Sequence, residues 1–255
     1  PEGVTSIGNY TFYGCSSLTS IEIPSSVTSI YALAFAGCRA LKSITMPKTL
    51  SMIGLQAFDG CGALTSIVVE DGNFMYDSRN NCNAIIKSAT NTLIRGCCNT
   101  TIPENIEEID SYAFSGCTGL TTIAIPEGVK KIGKYAFFGC GELTSIIIPK
   151  SVTEISKDGV FSHCKSLTSI VVEEGNGIYD SRENCNAIIK SGNTLVAGCS
   201  NSVIPNGVET LGYGAFSGCE TLKSIVIPNS ITEIGAYAFC DCTALTEVVI
   251  PDSVE

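Results

Sequence analysis

Apolar residues recur along the chain in two short spacings joined into one unit. In the segment Leu18-Thr-Ser-Ile-Glu-Ile23 the apolar positions are 18, 21 and 23. The last three residues alternate, as they do in a strand with one face buried. β-Branched residues dominate there, and proline follows, which has no N–H to give a ladder and ends the strand. The next stretch, Val27-Thr-Ser-Ile30, turns two apolar residues inward at a spacing of three and offers a second short strand. The Ala-Phe-x-Gly-Cys stretch of each unit is too short for an independent helix and is read as a single helical turn. Ten strands are expected, ending at Ile23, Met46, Val69, Ile102, Ile125, Ile148, Val172, Ile204, Ile227 and Ile250.

Proline fixes the period. It stands at Pro1, Pro24, Pro47, Pro103, Pro126, Pro149, Pro205, Pro228 and Pro251, at intervals of 23 residues broken by two of 56. A repeat of this length signals a solenoid, because one unit cannot bury its apolar side alone and a stack of units can. Each long interval is one short unit plus an inserted module, residues 68–103 and 171–205. The two modules are nearly identical and read as hairpins, two apolar runs around a polar turn. The whole pattern recurs every 102 residues, giving super-repeats 1–102, 103–204 and a partial 205–255. The expectation is one elongated body over 1–255, with parallel strands on one face and short helical turns and loops on the other. Pro1 and Glu255 both fall inside the motif, so the sequence reads as a piece of a longer array, with any secretion signal outside it.

Cysteine follows the same period: Cys15, Cys38, Cys61, Cys117, Cys140, Cys164, Cys219 and Cys242. A disulfide framework or metal chemistry does not require such regularity, whereas one slot of a stacked unit does. These thiols are therefore read as small apolar filler at a narrow corner. Phe12, Phe35, Phe58, Phe114, Phe137, Phe161, Phe216 and Phe239 form a second ladder beside them.

Composition narrows the partners. The chain has 255 residues, 44% hydrophobic and 16% charged, with net charge −10. Such an acidic surface excludes a run of nucleic-acid phosphates as a partner, and the basic residues are too scattered for anionic lipid. No apolar run reaches the roughly 20 residues of a membrane span. With His163 the single histidine, a histidine-based triad or metal hydrolase is nearly excluded, and no enzyme activity or cofactor is expected.

Three stretches, Val-Thr-x-Ile-Gly, Ala-Phe-x-Gly-Cys and Leu-Thr-x-Ile-x-Ile-Pro, resemble leucine-rich repeats of the BspA-like class. Those repeats are found in surface proteins of oral and gut bacteria and of some parasitic protists. The resemblance covers the whole chain and implies a leucine-rich repeat solenoid, displayed at the cell surface or secreted. It also implies adhesion to host extracellular-matrix or surface proteins, or to other microbes. The asparagine ladder of ordinary leucine-rich repeats is absent, proline standing in its place.

Candidate sites follow from the register. The outward middle position of each strand carries Glu22, Thr45, Val68, Ala124, Ile147, Val171, Val203, Val226 and Val249, with Thr100 or Thr101 in the fourth strand. An exposed sheet with aliphatic residues in line is the best partner-binding face, although β-branched residues also simply suit a strand. Thr19, Ser20, Thr65, Ser66, Thr121, Thr122, Thr144, Ser145, Thr168 and Ser169 flank it as a hydroxyl field. This field leaves open a glycan-binding alternative, and a purely structural spacer is a third reading. Pairing across the hairpins sets Cys82 opposite Cys97 and Cys185 opposite Cys199. Two states remain open there, a cross-strand disulfide or reduced buried thiols. Cys98 and Cys240 lack counterparts and are candidates for exposed thiols. Asp71, Asn73 and Asp77, with Glu174, Asn176 and Asp180, offer oxygens to calcium, but turn chemistry explains them more simply. Tyr112, Tyr135 and Tyr237 are placed outward on the convex side. The apolar end coils lead us to expect end-to-end association of this segment.

Overall fold

Each coil begins where proline ends the strand before it. In the computed structural model, which describes residues 3–255, the carbonyl of Pro24 accepts the Val27 N–H at 3.0 Å, closing a tight turn. The same bond recurs at Pro47, Pro103, Pro126, Pro149, Pro205, Pro228 and Pro251. Pro1, the first of the spacing prolines, lies outside the described residues. Coils are numbered here from their opening prolines. Coil 1 is the described chain before Pro24, and coil 2 opens at Pro24, 3 at Pro47, 4 at Pro103, 5 at Pro126, 6 at Pro149, 7 at Pro205 and 8 at Pro228. The modules lie between coils 3 and 4 and between coils 6 and 7.

Two ladders run along the stack. The first is built from the Val-Thr-x-Ile stretches. Ser6–Ile7, Ser29–Ile30 and Met52–Ile53 pair in parallel, one unit apart in register. Glu108–Ile109, Lys131–Ile132 and Glu154–Ile155 continue it, as do Thr210–Leu211 and Glu233–Ile234. The second ladder is the Leu-Thr-x-Ile one. It forms regular parallel pairs between Ser43–Met46 and Ser66–Val69, and between Ser145–Ile148 and Ser169–Val172. Elsewhere its segments run extended, joined by single bonds such as Lys42 N–H to Thr19 O at 3.2 Å. The sequence favours the second ladder as the sheet, yet the first is the more continuous.

The Ala-Phe-x-Gly-Cys stretch is not a helical turn. Tyr10 and Gly14 have φ of 59° and 72°, in the left-handed region, and the equivalent pairs Tyr112 and Gly116 and Tyr135 and Gly139 do the same. With those residues left-handed, alternate N–H groups leave the coil. Phe12 donates to Ala34 O (2.7 Å) and Gly14 to Ala36 O (2.8 Å), while Tyr13 and Cys15 close turns on Tyr10 and Phe12. A helix would keep all of these bonds within one segment. Among the described residues the helical elements are two 3₁₀ turns, Arg79–Asn81 and Arg182–Asn184, both inside modules.

The core fills the space between the ladders. Phenylalanine rings stack at centroid spacings of 5.2 Å (Phe12 on Phe35), 5.3 Å (Phe35 on Phe58) and 5.1 Å (Phe114 on Phe137). Those separations match the strand spacing of roughly 4.8 Å, so each ring rests on its equivalent in the next coil.

The modules act as wedges. Each adds three antiparallel strands to the first ladder: Tyr76–Asp77, Ala84–Lys87 and Thr92–Gly96 in one, Tyr179–Asp180, Ala187–Lys190 and Thr194–Gly198 in the other. At the Gly-Cys corner they add nothing. Gly60 N–H reaches Ser115 O directly (3.4 Å), and His163 N–H reaches Ser217 O (3.1 Å). The body therefore opens on the first-ladder side and bends at each module. A backbone ladder cannot cross this wedge unaided, and a tyrosine closes the gap. Ile53 N–H donates to the Tyr76 hydroxyl at 3.2 Å, and Ile155 N–H to that of Tyr179 at 2.8 Å.

Candidate functional site

The outward face of the second ladder is laid out by the alternation of its strands. In Ser43–Met46, Ile44 and Met46 point into the core and Ser43 and Thr45 point out. The same pattern in Ser145–Ile148 leaves Ile147 exposed between Ile146 and Ile148. Cross-coil pairing then aligns the outward residues, Thr45 beside Val68 and Ile147 beside Val171. Glu22, Thr45, Val68, Ala124, Ile147, Val171, Val203, Val226 and Val249 are all exposed. Val203 is 65% exposed and Val226 82%, which places large aliphatic groups in water where a charged residue would cost nothing. Thr101, not Thr100, takes the outward place in the fourth strand. Thr100 is buried, and its hydroxyl donates to Asn83 O (2.7 Å) while accepting the Cys97 N–H (2.7 Å).

The flanking hydroxyls are partly spent. Thr65 Oγ1 donates to Lys42 O at 3.2 Å, Thr144 to Thr121 O at 3.4 Å and Thr168 to Thr144 O at 3.3 Å. Each of these threonines ties its coil to the one before. They present oxygen lone pairs to a partner, their protons being used within the stack.

A family model of the BspA-type leucine-rich repeat region, in six copies, matches residues 1–92, 95–189 and 192–255. The chain belongs to the BspA-type leucine-rich repeat family. Among solved structures it is similar to a leucine-rich cell surface protein of Faecalibacterium prausnitzii, with 30% identity and a TM-score of 0.62. That match covers 97% of this chain and 57% of the other, so the chain spans little more than half of that relative. A leucine-rich repeat protein of Eubacterium ventriosum is 26% identical, with a TM-score of 0.57, over 100% of this chain and 78% of that one. The pneumococcal vaccine antigen PcpA, at 19% identity, TM-score 0.51, and covering 99% and 57%, shares the fold alone. No match is found among curated protein sequences.

Within this BspA-type array the remaining candidate residues find their places. The periodic thiols fill the corner and also donate. Cys38 Sγ reaches Phe12 O at 3.2 Å, Cys61 reaches Phe35 O at 3.2 Å and Cys164 reaches Phe137 O at 3.1 Å. The hairpin cysteines are reduced, and a bulge explains why. The pairing slips between Ile85 and Ile86, so that Ala84 faces Gly96, and likewise Ala187 faces Gly198. That one-residue shift moves Cys82 away from Cys97 and Cys185 away from Cys199. All four thiols are free and buried, Cys97 donating to Asn83 O at 3.3 Å and Cys199 to Asn186 O at 3.4 Å. Cys98 and Cys240 are half-buried, and Cys15 is the exposed thiol.

Of the residues considered for calcium, Asp71 and Glu174 are exposed in the turn, and the other four have protein partners. Asn73 Oδ1 accepts the Met75 and Tyr76 N–H groups (2.8 and 2.9 Å), and its Nδ2 donates to Leu50 O (2.8 Å). Asn176 repeats this in the second module. Asp77 accepts from Arg79 Nε, Arg79 Nη2 and Ser88 Oγ (2.7, 2.6 and 2.6 Å), and the arginine and serine hydrogen bonds hold its carboxyl low despite burial. Asp180 pairs with Arg182 in the same way. These groups build the entry to each hairpin. His163 takes a glycine slot at φ 60°, its ring 5.0 Å from Phe138. Tyr112 and Tyr135 are half-buried and packed on each other at 5.5 Å, while Tyr237 is exposed. One group escaped the sequence reading altogether, the buried Arg95. The signal for it was an alignment of the two modules, where Arg95 stands against Ala197.

Proposed function

We propose that the chain is a non-catalytic recognition array, displayed at a cell surface or secreted, that binds host or microbial proteins. The binding face is the outward row of the second ladder. One observation carries this reading: exposed aliphatic residues, Ile147 with Val171 and then Val203, Val226 and Val249, follow one another along a single face. Exposed apolar groups gathered on one face mark interaction surfaces. Repetition lets many shallow contacts act together without a deep pocket. The description of the Faecalibacterium relative as a cell surface protein supports the location.

The test is a pull-down of host and microbial surface proteins on the immobilised chain, repeated with Val203→Arg and Val226→Arg together. Captured proteins lost in the double variant, at an unchanged melting temperature, support the strand face. Capture that survives the double variant refutes it, and no capture by the unaltered chain favours a structural spacer.

A further inference from the structure

The near-identical modules differ at two buried positions, Thr100 against Ser202 and Arg95 against Ala197, and the second difference changes the space around it. Arg95 occupies the place that Ala197 holds in the second module. Its side chain is 4% exposed. Nη1 donates to Ser115 O at 2.9 Å and to Tyr112 O at 3.2 Å, and Nη2 lies 3.6 Å from Cys117 Sγ. Nε has no acceptor. Among the described residues no carboxylate comes within 4.0 Å of this guanidinium. Cys117 does not supply the missing charge, because complete burial pushes its thiol up and keeps it protonated. A guanidinium stays charged at every working pH, and a buried charge without a partner is costly.

Beside Arg95 the wedge between coils 3 and 4 opens a cleft of about 280 Å³, walled by Gln56, Phe58, Asp59, Lys87, Asp110 and Tyr112. The matching place beside Ala197 holds only about 10 Å³. The wedge also frees a second donor. Phe12 and Phe35 donate their N–H groups to Ala34 O and Ala57 O of the next coil, at 2.7 and 2.8 Å. Before the first module that acceptor is taken, since Gly96 N–H holds Ala113 O at 2.8 Å. The Phe58 N–H on the cleft wall is thereby left without its usual partner.

The lining chooses among anions. Asp59 and Asp110 oppose a second negative charge, so phosphate and sulfate suit the cleft poorly. Burial raises the Asp110 carboxyl, Lys87 stands beside it on the cleft wall, and Asp59 accepts from Gln56 Nε2 at 3.3 Å. The cleft's volume of about 280 Å³ lies just under the roughly 300–1,000 Å³ of small-molecule sites, which at roughly 30 Å³ per water-sized group limits the occupant to about ten non-hydrogen atoms. A carboxylate, planar and singly charged, matches a guanidinium edge and a neighbouring N–H.

We propose that this cleft binds a small monocarboxylate of amino-acid or hydroxy-acid size, its carboxylate set against the Arg95 guanidinium that lines the cleft and accepting from the Phe58 N–H. The carboxylate comes from a free acid or from the C-terminus of a short peptide, and the probes separate these sources. The whole 255-residue chain is titrated with glycolate, glycine, diglycine and inorganic phosphate, following the Arg95 Nε–H resonance by NMR and the melting temperature. A saturable shift of that resonance with glycolate or glycine is expected for a free acid, and with diglycine alone for a chain terminus. Phosphate at equal ionic strength is expected to have no saturable effect. R95A installs the alanine that the second module already carries, and is expected to weaken binding at least tenfold while melting cooperatively. An unmoved Arg95 resonance with all three carboxylates overturns the proposal. So does phosphate binding as tightly as they do, or an R95A chain that binds like the unaltered one. Should R95A fail to fold, the titration of the unaltered chain decides alone.

Discussion

Cys140 donates its thiol hydrogen to the carbonyl oxygen of Phe114, one coil earlier, at 3.3 Å. The same Phe114 oxygen accepts the Cys117 N–H within its own coil, at 3.0 Å. A cysteine at this corner therefore fills a space too narrow for leucine and uses the second lone pair of a buried carbonyl. Alanine would fill less and donate nothing, and valine could not donate.

Burial of this thiol ladder makes stability depend on alkaline pH. Cys38 and Cys242 are pushed from an ordinary value of 9.0 up to about 11, chiefly by burial, and Cys61, Cys117 and Cys219 move the same way. Between pH 9 and 11 the unfolded chain has lost protons that the folded chain keeps. The thiol contribution is thus complete below about pH 9 and declines as pH rises through 11. The urea midpoint is expected to be level from pH 7 to 8.5 and to fall steadily above pH 9, less steeply in a Cys38→Ala, Cys242→Ala chain. A midpoint independent of pH from 9 to 11 contradicts the assignment. At pH 8 a thiol reagent is expected to label Cys15 first, Cys98 and Cys240 more slowly, and the remaining thiols only on unfolding.

The two bridging tyrosines predict a matched pair of losses. Tyr76→Phe removes the acceptor of the Ile53 N–H, and Tyr179→Phe that of the Ile155 N–H. Each ring stays in place and one donor is left unpaired, buried at Ile155 and half-buried at Ile53, a cost of about 1–3 kcal/mol with the Tyr76 variant toward the lower end. The modules are far apart in the chain and share no partners, so the losses are expected to add in the double variant. Denaturant unfolding measures this. If both single variants are as stable as the unaltered chain, the hydroxyls do not carry the ladder across the wedge.

The repeat, its period, the outward strand positions and the cysteine and phenylalanine ladders were legible in the sequence, because each recurs in many units and stacking demands identity of burial; the ladders depart from it in the first and last coils, where Cys15 is exposed and Phe12 and Phe239 are half-buried. The parts that were not legible occur only once or twice, or depend on backbone geometry. The left-handed residues at Tyr10 and Tyr112 hide the turn-on-turn geometry, since tyrosine carries no signal for positive φ. The bulge after Ile85 shifts the hairpin by one residue, which is enough to undo the pairing of Cys82 with Cys97. Arg95 stands against Ala197 in the second module, so the repeat marks its position as different but does not say that its charge is buried.

Gly96 predicts how tightly the first module seals the core. A Cβ there would overlap Cε1, Cζ and Cδ1 of Phe114, the first ring of the stack beyond the wedge. Gly198 meets Phe216 in the same way. Gly96→Ala is expected to destabilise by about 1–3 kcal/mol, as overpacking of a close-packed core does. Phe114→Leu, which removes the overlapping ring edge, is expected to recover part of that loss when combined with it. A double variant no more stable than the sum of the two single losses shows that the glycine is not there for the ring.

The alternation of the second ladder is tested by charge at neighbouring positions. Val226 is 82% exposed and Ile227, the next residue, is 7% exposed. Val226→Arg places its guanidinium in water and is expected to change stability by no more than about 0.5 kcal/mol. Ile227→Arg buries a charge with no partner and removes an apolar side chain, which together are expected to cost more than about 4 kcal/mol. The contrast separates folding from recognition. Because Val226→Arg leaves the stack intact, any partner it releases was held by the outward row, and an equal loss of stability at both positions would mean that this strand does not face its two sides as described.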